Sequence, residues 1–225
     1  MHLILTILTI LLSASITRAG TILGTVRAEP PPELASSGKS GKYDSRKFKF
    51  IEKIDYSALT DFVVYIDQPI TNTPPRTPAT LQVITQRDAV FRPHVLPVLA
   101  GTIVEWPNKD DIYHNVFSMS ESNPFDLGLY KDPEVKKVRF ANPGRVDVFC
   151  SIHSQMNCVI LVLQNPFFAA TDKSGHFRIE NVPPGAYKLK AWHQRLPAQI
   201  KEIVVPEKGD IQVQFSLGIR GLPKY

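Results

Sequence analysis

The stretch VFCSIHSQMNCVILV, residues 148–162, places a cysteine, a histidine and a methionine at Cys150, His153 and Met156 and then runs into unbroken apolar text. All three side chain types bind soft metal ions, and all three are also common bystanders. The apolar run raises a second question. A strand with one face in water alternates apolar and polar residues, and CVILVL does not. A strand buried on both faces reads this way, as though a second layer covered it.

Around this stretch the text is dense with β runs. LQVITQRD, AVFRPHVLPVLAGTIVEWPN, YHNVFSMS, VKKVRFANPG and RVDVFC are short, rich in β-branched residues and broken by Pro and Gly. They carry no helical period, so seven or eight strands in residues 80–164 predict a β-sandwich. A second pattern starts at Phe167. DKSG reads as a hairpin turn, HFRIENV and AYKLKAW alternate, and EIVVPEKGDIQVQFSL adds two more strands. Near the N-terminus, residues 22–26 and DFVVYIDQP read as strands. Pro30, Pro31 and Pro32, the polar and basic residues 35–57, and the linker TNTPPRTPAT separate them.

The net charge of +5 is modest, and Lys and Arg form no stripe with interleaved aromatics, so nucleic acid is not expected as a partner. LILTILTILL followed by SASITRAG reads as a secretory signal, residues 1–19, cleaved after Ala19. The run is too short to span a bilayer, so no membrane span is expected in the mature chain. The compartment is then periplasmic or extracellular. In an exported protein the two cysteines, Cys150 and Cys158, are first suspected of forming a disulfide.

The other reading of Cys150 needs an upstream partner. GTIVEWPNKDDIYHNVF supplies His114, 36 positions earlier at the start of a strand. A sandwich can bring two strand ends together at one pole. Copper cycling between Cu(I) and Cu(II) explains the residue types. Two imidazoles, a thiolate and a distant thioether are a compromise between the soft, low-coordinate preference of one state and the nitrogen-rich preference of the other. A rigid sandwich holding the ligands at loop ends keeps that compromise in place.

These two segments resemble the type 1 blue copper proteins, the cupredoxins, with the short Cys-x-x-His-x-x-Met loop of the amicyanin type. Trp106, Asn108, His114 and Asn115 fall at the offsets usual before and at the first histidine. The resemblance implies one type 1 copper held by His114, Cys150, His153 and Met156. It implies that Asn115 bonds near the thiolate and ties the two ligand stretches together. Tyr113 and Ile152 stand where the family often has Pro. Ile152 therefore keeps an N–H, which is expected to reach the Cys150 sulfur.

His94 reads as structural or exposed, His176 as solvated, and His193 as a residue that could approach another domain or a second metal. Met119 reads as packing, with an outside candidacy for the copper site. Asp110 and Asp111 read as a solvated turn. No His-x-His pair, Gly-x-Ser-x-Gly or phosphate-binding glycine loop occurs, and no paired catalytic carboxylates stand in a convincing context, so an enzyme is not expected.

TDKSGHFRIENVPPGAYKLKAWH resembles the carboxypeptidase regulatory-like or CnaB-type sandwich through Asp172, Gly175, Phe177, Gly185, Tyr187 and Leu189. LGTVRAEP with DFVVYIDQP resembles the start of such a domain. The expected fold is therefore all-β: a cupredoxin Greek-key sandwich in residues 80–164 and a second, Ig-like sandwich split between 20–75 and 165–225. The alternative gives the N-terminal strands to the copper sandwich. Together the resemblances match exported proteins labelled as methylamine-utilisation relatives. They imply an electron carrier with protein redox partners; copper storage or delivery, or a metal-free binding module, is the alternative.

Overall fold

The computed structural model describes residues 19–30, 54–70 and 81–218. Residues 1–18 of the signal, most of the basic loop and the linker 71–80 lie outside the described residues. The chain opens with β1 (Gly20–Ala28), a 3-10 turn at Tyr56–Ala58 and β2 (Val63–Ile66). Ten strands follow: β3 (Gln82–Val83), β4 (Thr85–Arg87), β5 (Val90–Arg92), β6 (Val95–Leu99), β7 (Thr102–Pro107), β8 (His114–Ser118), β9 (Phe125–Tyr130), β10 (Val135–Phe140), β11 (Gly144–Phe149) and β12 (Asn157–Leu163). The last five are β13 (Phe168–Ala170), β14 (His176–Val182), β15 (Gly185–His193), β16 (Leu196–Val205) and β17 (Asp210–Leu217). The all-β, two-sandwich class expected from the sequence is the one found.

The middle region has ten strands rather than seven or eight. LQVITQRD divides into β3 and β4, and FDLGLY forms β9 although Asp126 and Gly128 interrupt its apolar pattern. Backbone pairing to β8 holds β9, with His114 opposite Tyr130 and Asn115 opposite Leu129.

Four sheets stack face to face. In the first, β1 lies between β14 and β17; in the second, the order is β13-β2-β15-β16. The third is β6-β12-β11-β8-β9 and the fourth β10-β7-β3, with the small β4-β5 hairpin beside it. The first two strands of the chain thus pair with its last five, across the ten strands between. Ile22, Val26, Phe62, Val64, Phe177, Leu189 and Phe215 fill the layer between the first two sheets. Val104, Trp106, Phe140, Val146, Val148, Cys158, Ile160 and Val162 share the core of the ten-strand unit.

A third apolar layer joins the two units. It consists of Val63, Tyr65, Val95, Val159, Leu161 and Leu163, with Phe168 and Trp192 packed against it. β12 therefore sends Cys158, Ile160 and Val162 one way and Val159, Leu161 and Leu163 the other. Its missing polar alternation is explained: every residue from Cys158 to Leu163 is buried. At about 1.5–3 kcal/mol per fully buried aliphatic side chain, the three residues facing the second unit are a substantial part of the joint. β2 mirrors it, with Val64 and Ile66 in one core and Val63 and Tyr65 in the seam.

Polar contacts fix the seam. Asn165 donates to the carbonyls of Ile66 (2.8 Å) and Gln68 (3.0 Å) and accepts from the Phe167 N–H. His94 contacts the Asn157 carbonyl through Nδ1 (3.2 Å) and Gln194 Nε2 through its own Nε2 (2.7 Å), so it is a structural link. His176 is exposed beside Asp172. In the DKSG turn, Asp172 accepts from Ser174 N–H and His176 N–H. Gly175 adopts φ +82 there, and a Cβ would run into the Val26 carbonyl.

His193 is buried in the second sandwich, with its ring 5.0 Å from that of Phe62 and its Nδ1 accepting from the Arg195 N–H. Burial pushes its imidazole down to about 4 from an ordinary 6.5. Between those values the unfolded chain takes up a proton that the fold refuses. The stabilisation is complete above pH 6.5 and is lost as pH falls toward 4, on the order of 3 kcal/mol in total. Urea unfolding at pH 7 and pH 4.5 checks this. The stability lost by the native chain should exceed that lost by His193→Gln by about 2–3 kcal/mol; parallel losses would refute it.

Candidate metal centre

β8 and β11 are antiparallel neighbours, with Phe117 opposite Phe149. The start of one strand therefore lies at the same pole as the end of the other. His114 opens β8, and Cys150 follows the last residue of β11. The turn from β11 to β12 is closed by Cys150 N–H to the Met156 carbonyl (3.1 Å) and by Met156 N–H to the His153 carbonyl (2.9 Å). This turn stands His153 beside the cysteine.

His114 Nδ1 lies 3.2 Å from His153 Nδ1, which lies 3.8 Å from Cys150 Sγ. One nitrogen from each ring and the sulfur all fall within 4.8 Å of one another. Two donors at about 2.0–2.1 Å (nitrogen) and 2.3 Å (sulfur) from one ion, at tetrahedral to trigonal angles, stand roughly 3.3–3.8 Å apart. The 3.2 and 3.8 Å separations lie near the two ends of that range, and the third pair is no wider than 4.8 Å. The walls of the gap between them are dry, with His114 0% and Cys150 6% exposed. His153 is half-buried and is the donor nearest to solvent. Met156 is buried in the core at the end of the same turn.

Asn115 lies between the two stretches. Its Oδ1 accepts from Ser151 N–H (3.2 Å), next to Cys150, and its Nδ2 donates to Asp126 (2.7 Å). The hydrogen bond expected from Ile152 N–H to the Cys150 sulfur is not formed. In this turn the N–H beside the cysteine is that of Ser151, and it is turned to Asn115. Both cysteines are free. Burial pushes the Cys158 thiol well up, so it stays protonated and unreactive within β12.

The approach to His114 holds the residue that sequence reasoning missed. Asp110 is not a solvated turn residue. Its Oδ1 accepts from Asp88 N–H (2.8 Å), and its Oδ2 accepts from Ala89 N–H (3.0 Å) and lies 2.8 Å from His114 Nε2. Burial alone would raise the Asp110 carboxyl. The bonds from Ala89 N–H, His114 and Asp88 N–H outweigh that and hold it below the ordinary carboxylate value. The only sequence signal was a carboxylate four residues before the histidine. The two N–H groups come from the distant β4–β5 turn, where Asp88 and Ala89 have φ +58 and +52. Met119, read as packing, is instead 83% exposed.

Beneath this turn, Asn108 is fully buried. Its Nδ2 donates to the carbonyls of Ile112 (2.9 Å) and Tyr130 (3.2 Å), and its Oδ1 accepts from Asp110 N–H (2.9 Å). Trp106 packs edge-on to Phe91, and its carbonyl accepts from the Tyr130 hydroxyl (2.7 Å) and Gln86 (3.1 Å). His114 therefore sits on a floor with few alternative packings.

The family model described as polysaccharide lyase family 4, domain II, matches residues 151–213. It takes in the ligand turn from Ser151 onward, β12 and most of the second sandwich, and differs from the carboxypeptidase regulatory-like relation expected. No curated protein matches. Among solved structures, a copper-containing nitrite reductase from Thermus scotoductus SA-01 is 24% identical with a TM-score of 0.37, over 44% of this chain and 26% of that one. Oxidised amicyanin, in a methionine-to-leucine variant, is 20% identical with a TM-score of 0.35, over 36% and 81%. A purple cupredoxin from Nitrosopumilus maritimus is 20% identical with a TM-score of 0.33, over 38% and 100%. The chain thus spans about a quarter of the nitrite reductase it matches.

Asn108→Ala strips the Ile112 and Tyr130 carbonyls of a donor and the Asp110 N–H of an acceptor. The expected cost is about 1–3 kcal/mol of stability, measured by denaturant titration. A change within about 0.5 kcal/mol would show that the turn is held by other means.

Proposed function

We propose that this chain is an exported type 1 copper protein that carries single electrons between protein redox partners, in the periplasm or outside the cell. The observation that carries the reading is the donor set: two imidazole nitrogens and a thiol sulfur, spaced for one ion in a buried pocket. His114, Cys150 and His153 would hold the copper, with Met156 as the weaker sulfur donor. Bound copper would supply a one-electron couple, its thiolate partner deprotonated by the ion's own charge.

The chain's own residues suit that task. Asn115 couples the two ligand stretches, so the donors move little relative to one another. The buried walls would exclude water from a bound ion. His153 is the half-buried member, and its ring edge would be the exit route for the electron. Ile112, Tyr113 and Ile152, which flank the two histidines in sequence, are each about half exposed or more, as a surface that docks transiently would be. Burial of His114, Cys150 and Met156 argues against storage or delivery, which needs a metal that leaves readily. On this reading residues 80–164 are the copper unit, and 20–75 with 165–225 form the sandwich that frames it. Among the described residues no helix is long and apolar enough to cross a membrane.

Optical and EPR spectroscopy of the copper-loaded chain beside Cys150→Ser tests the proposal. The native chain should show an intense visible band from thiolate-to-copper charge transfer and a reversible midpoint, both lost in the serine variant. A colourless loaded protein, tight Cu(I) binding with ready release, or a Cys150–Cys158 disulfide in the native protein would each refute it.

A further inference from the structure

The His114 ring is engaged at both nitrogens. Nδ1 faces the donor cluster, 3.2 Å from His153 Nδ1, while Nε2 on the far edge is 2.8 Å from Asp110 Oδ2. A carboxylate only accepts, so the hydrogen between them belongs to Nε2. A neutral imidazole carries one N–H, which leaves Nδ1 as an acceptor whose lone pair faces His153 Nδ1 and the gap. The ring is 0% exposed, so water does not compete for either nitrogen.

Asp110 is itself fixed from three directions. The N–H groups of Asp88 and Ala89 hold its two oxygens, and its own N–H is held by Asn108. Two consecutive non-glycine residues with positive φ turn those N–H groups toward one carboxylate. The β4–β5 hairpin, remote in sequence from every donor, thus acts on His114 through one side chain.

We propose that Asp110 is the positioning residue of the centre: it locks His114 in the Nε2–H tautomer, with Nδ1 presented to the metal, and sets a negative charge behind that ring that favours the oxidised ion. This rests on reading the cluster as a copper site. A hydrogen-bonded carboxylate behind a ligating histidine orients the ring and strengthens it as a donor, and removing one typically weakens metal binding about 10- to 100-fold.

The first arm of the test needs no metal. Nitrogen-15 shifts of the His114 ring in the metal-free native chain should show the Nε2–H tautomer alone, and Asp110→Asn should show both tautomers. A native Nδ1–H ring, or unchanged shifts in Asp110→Asn, overturns the proposal. In the second arm, Asp110→Asn should bind copper about 10- to 100-fold more weakly and show a higher midpoint. Asp111→Asn removes the same charge from an exposed neighbour and should stay near the native chain in all three readouts. Equal effects of the two substitutions would assign the shift to general charge and overturn the proposal. A native chain that takes up no copper overturns the copper reading and this proposal together. A coloured centre indifferent to Asp110→Asn overturns this proposal alone.

Discussion

The two-sided burial of β12 is the constraint on which the rest depends. This strand is hydrogen-bonded to β11 on one side and β6 on the other, and its two faces belong to two different apolar layers. A slip of one residue in its register would exchange Cys158, Ile160 and Val162 for Val159, Leu161 and Leu163, and would misfit both layers at once. The register Val148 to Cys158 and Phe149 to Asn157 is therefore strongly specified. That register fixes the length of the turn from Cys150 to Met156, which carries three of the four proposed ligands. The second sandwich, by covering the outer face of β12, thus helps to fix a site that it does not touch through any proposed ligand.

The site follows from this frame with little further adjustment. β8 and β11 bring two stretches 36 residues apart to one pole, and Asn115 spans the remaining distance to Ser151. The three side chains His114, Cys150 and His153 are brought together by the protein's own hydrogen bonds and packing. Ordering that is complete in the folded chain is not charged again when a ligand enters. On the proposed copper reading the same rigidity would matter a second time, because a frame that does not yield would keep the four side chains nearly still between the two oxidation states.

What the sequence made legible was whatever lay within one turn or one period. The β-sandwich class followed from short β-branched runs, and the double burial of β12 from its lack of polar residues. Cys150, His153 and Met156 fall within one seven-residue turn, so their proximity was readable. His114 was reachable because a sandwich aligns strand ends, and because Asn115 followed it. β9 was missed because its backbone ladder to β8, rather than its side chains, makes it a strand. Ile152 was misjudged because the direction of one N–H in a tight turn depends on its partner, and Ser151 found Asn115. Asp110 looked like an ordinary surface acid because its partners, Asp88 and Ala89, belong to a hairpin that composition does not connect to it.

The Asp88–Ala89 turn bears on why Asp110 is held at all. Placing a residue with a Cβ in the left-handed region costs about 1–2 kcal/mol, and here two do so in succession. A two-residue hairpin of this hand would ordinarily choose Asn-Gly or Asp-Gly. The strain is offset by what the conformation presents, two N–H groups that both reach Asp110. Bonds to an ionised acceptor contribute about 1.5–3 kcal/mol each, enough to cover it. The turn and the carboxylate therefore stabilise each other. The hairpin keeps its hand because Asp110 is there, and Asp110 keeps its place behind His114 because the hairpin does.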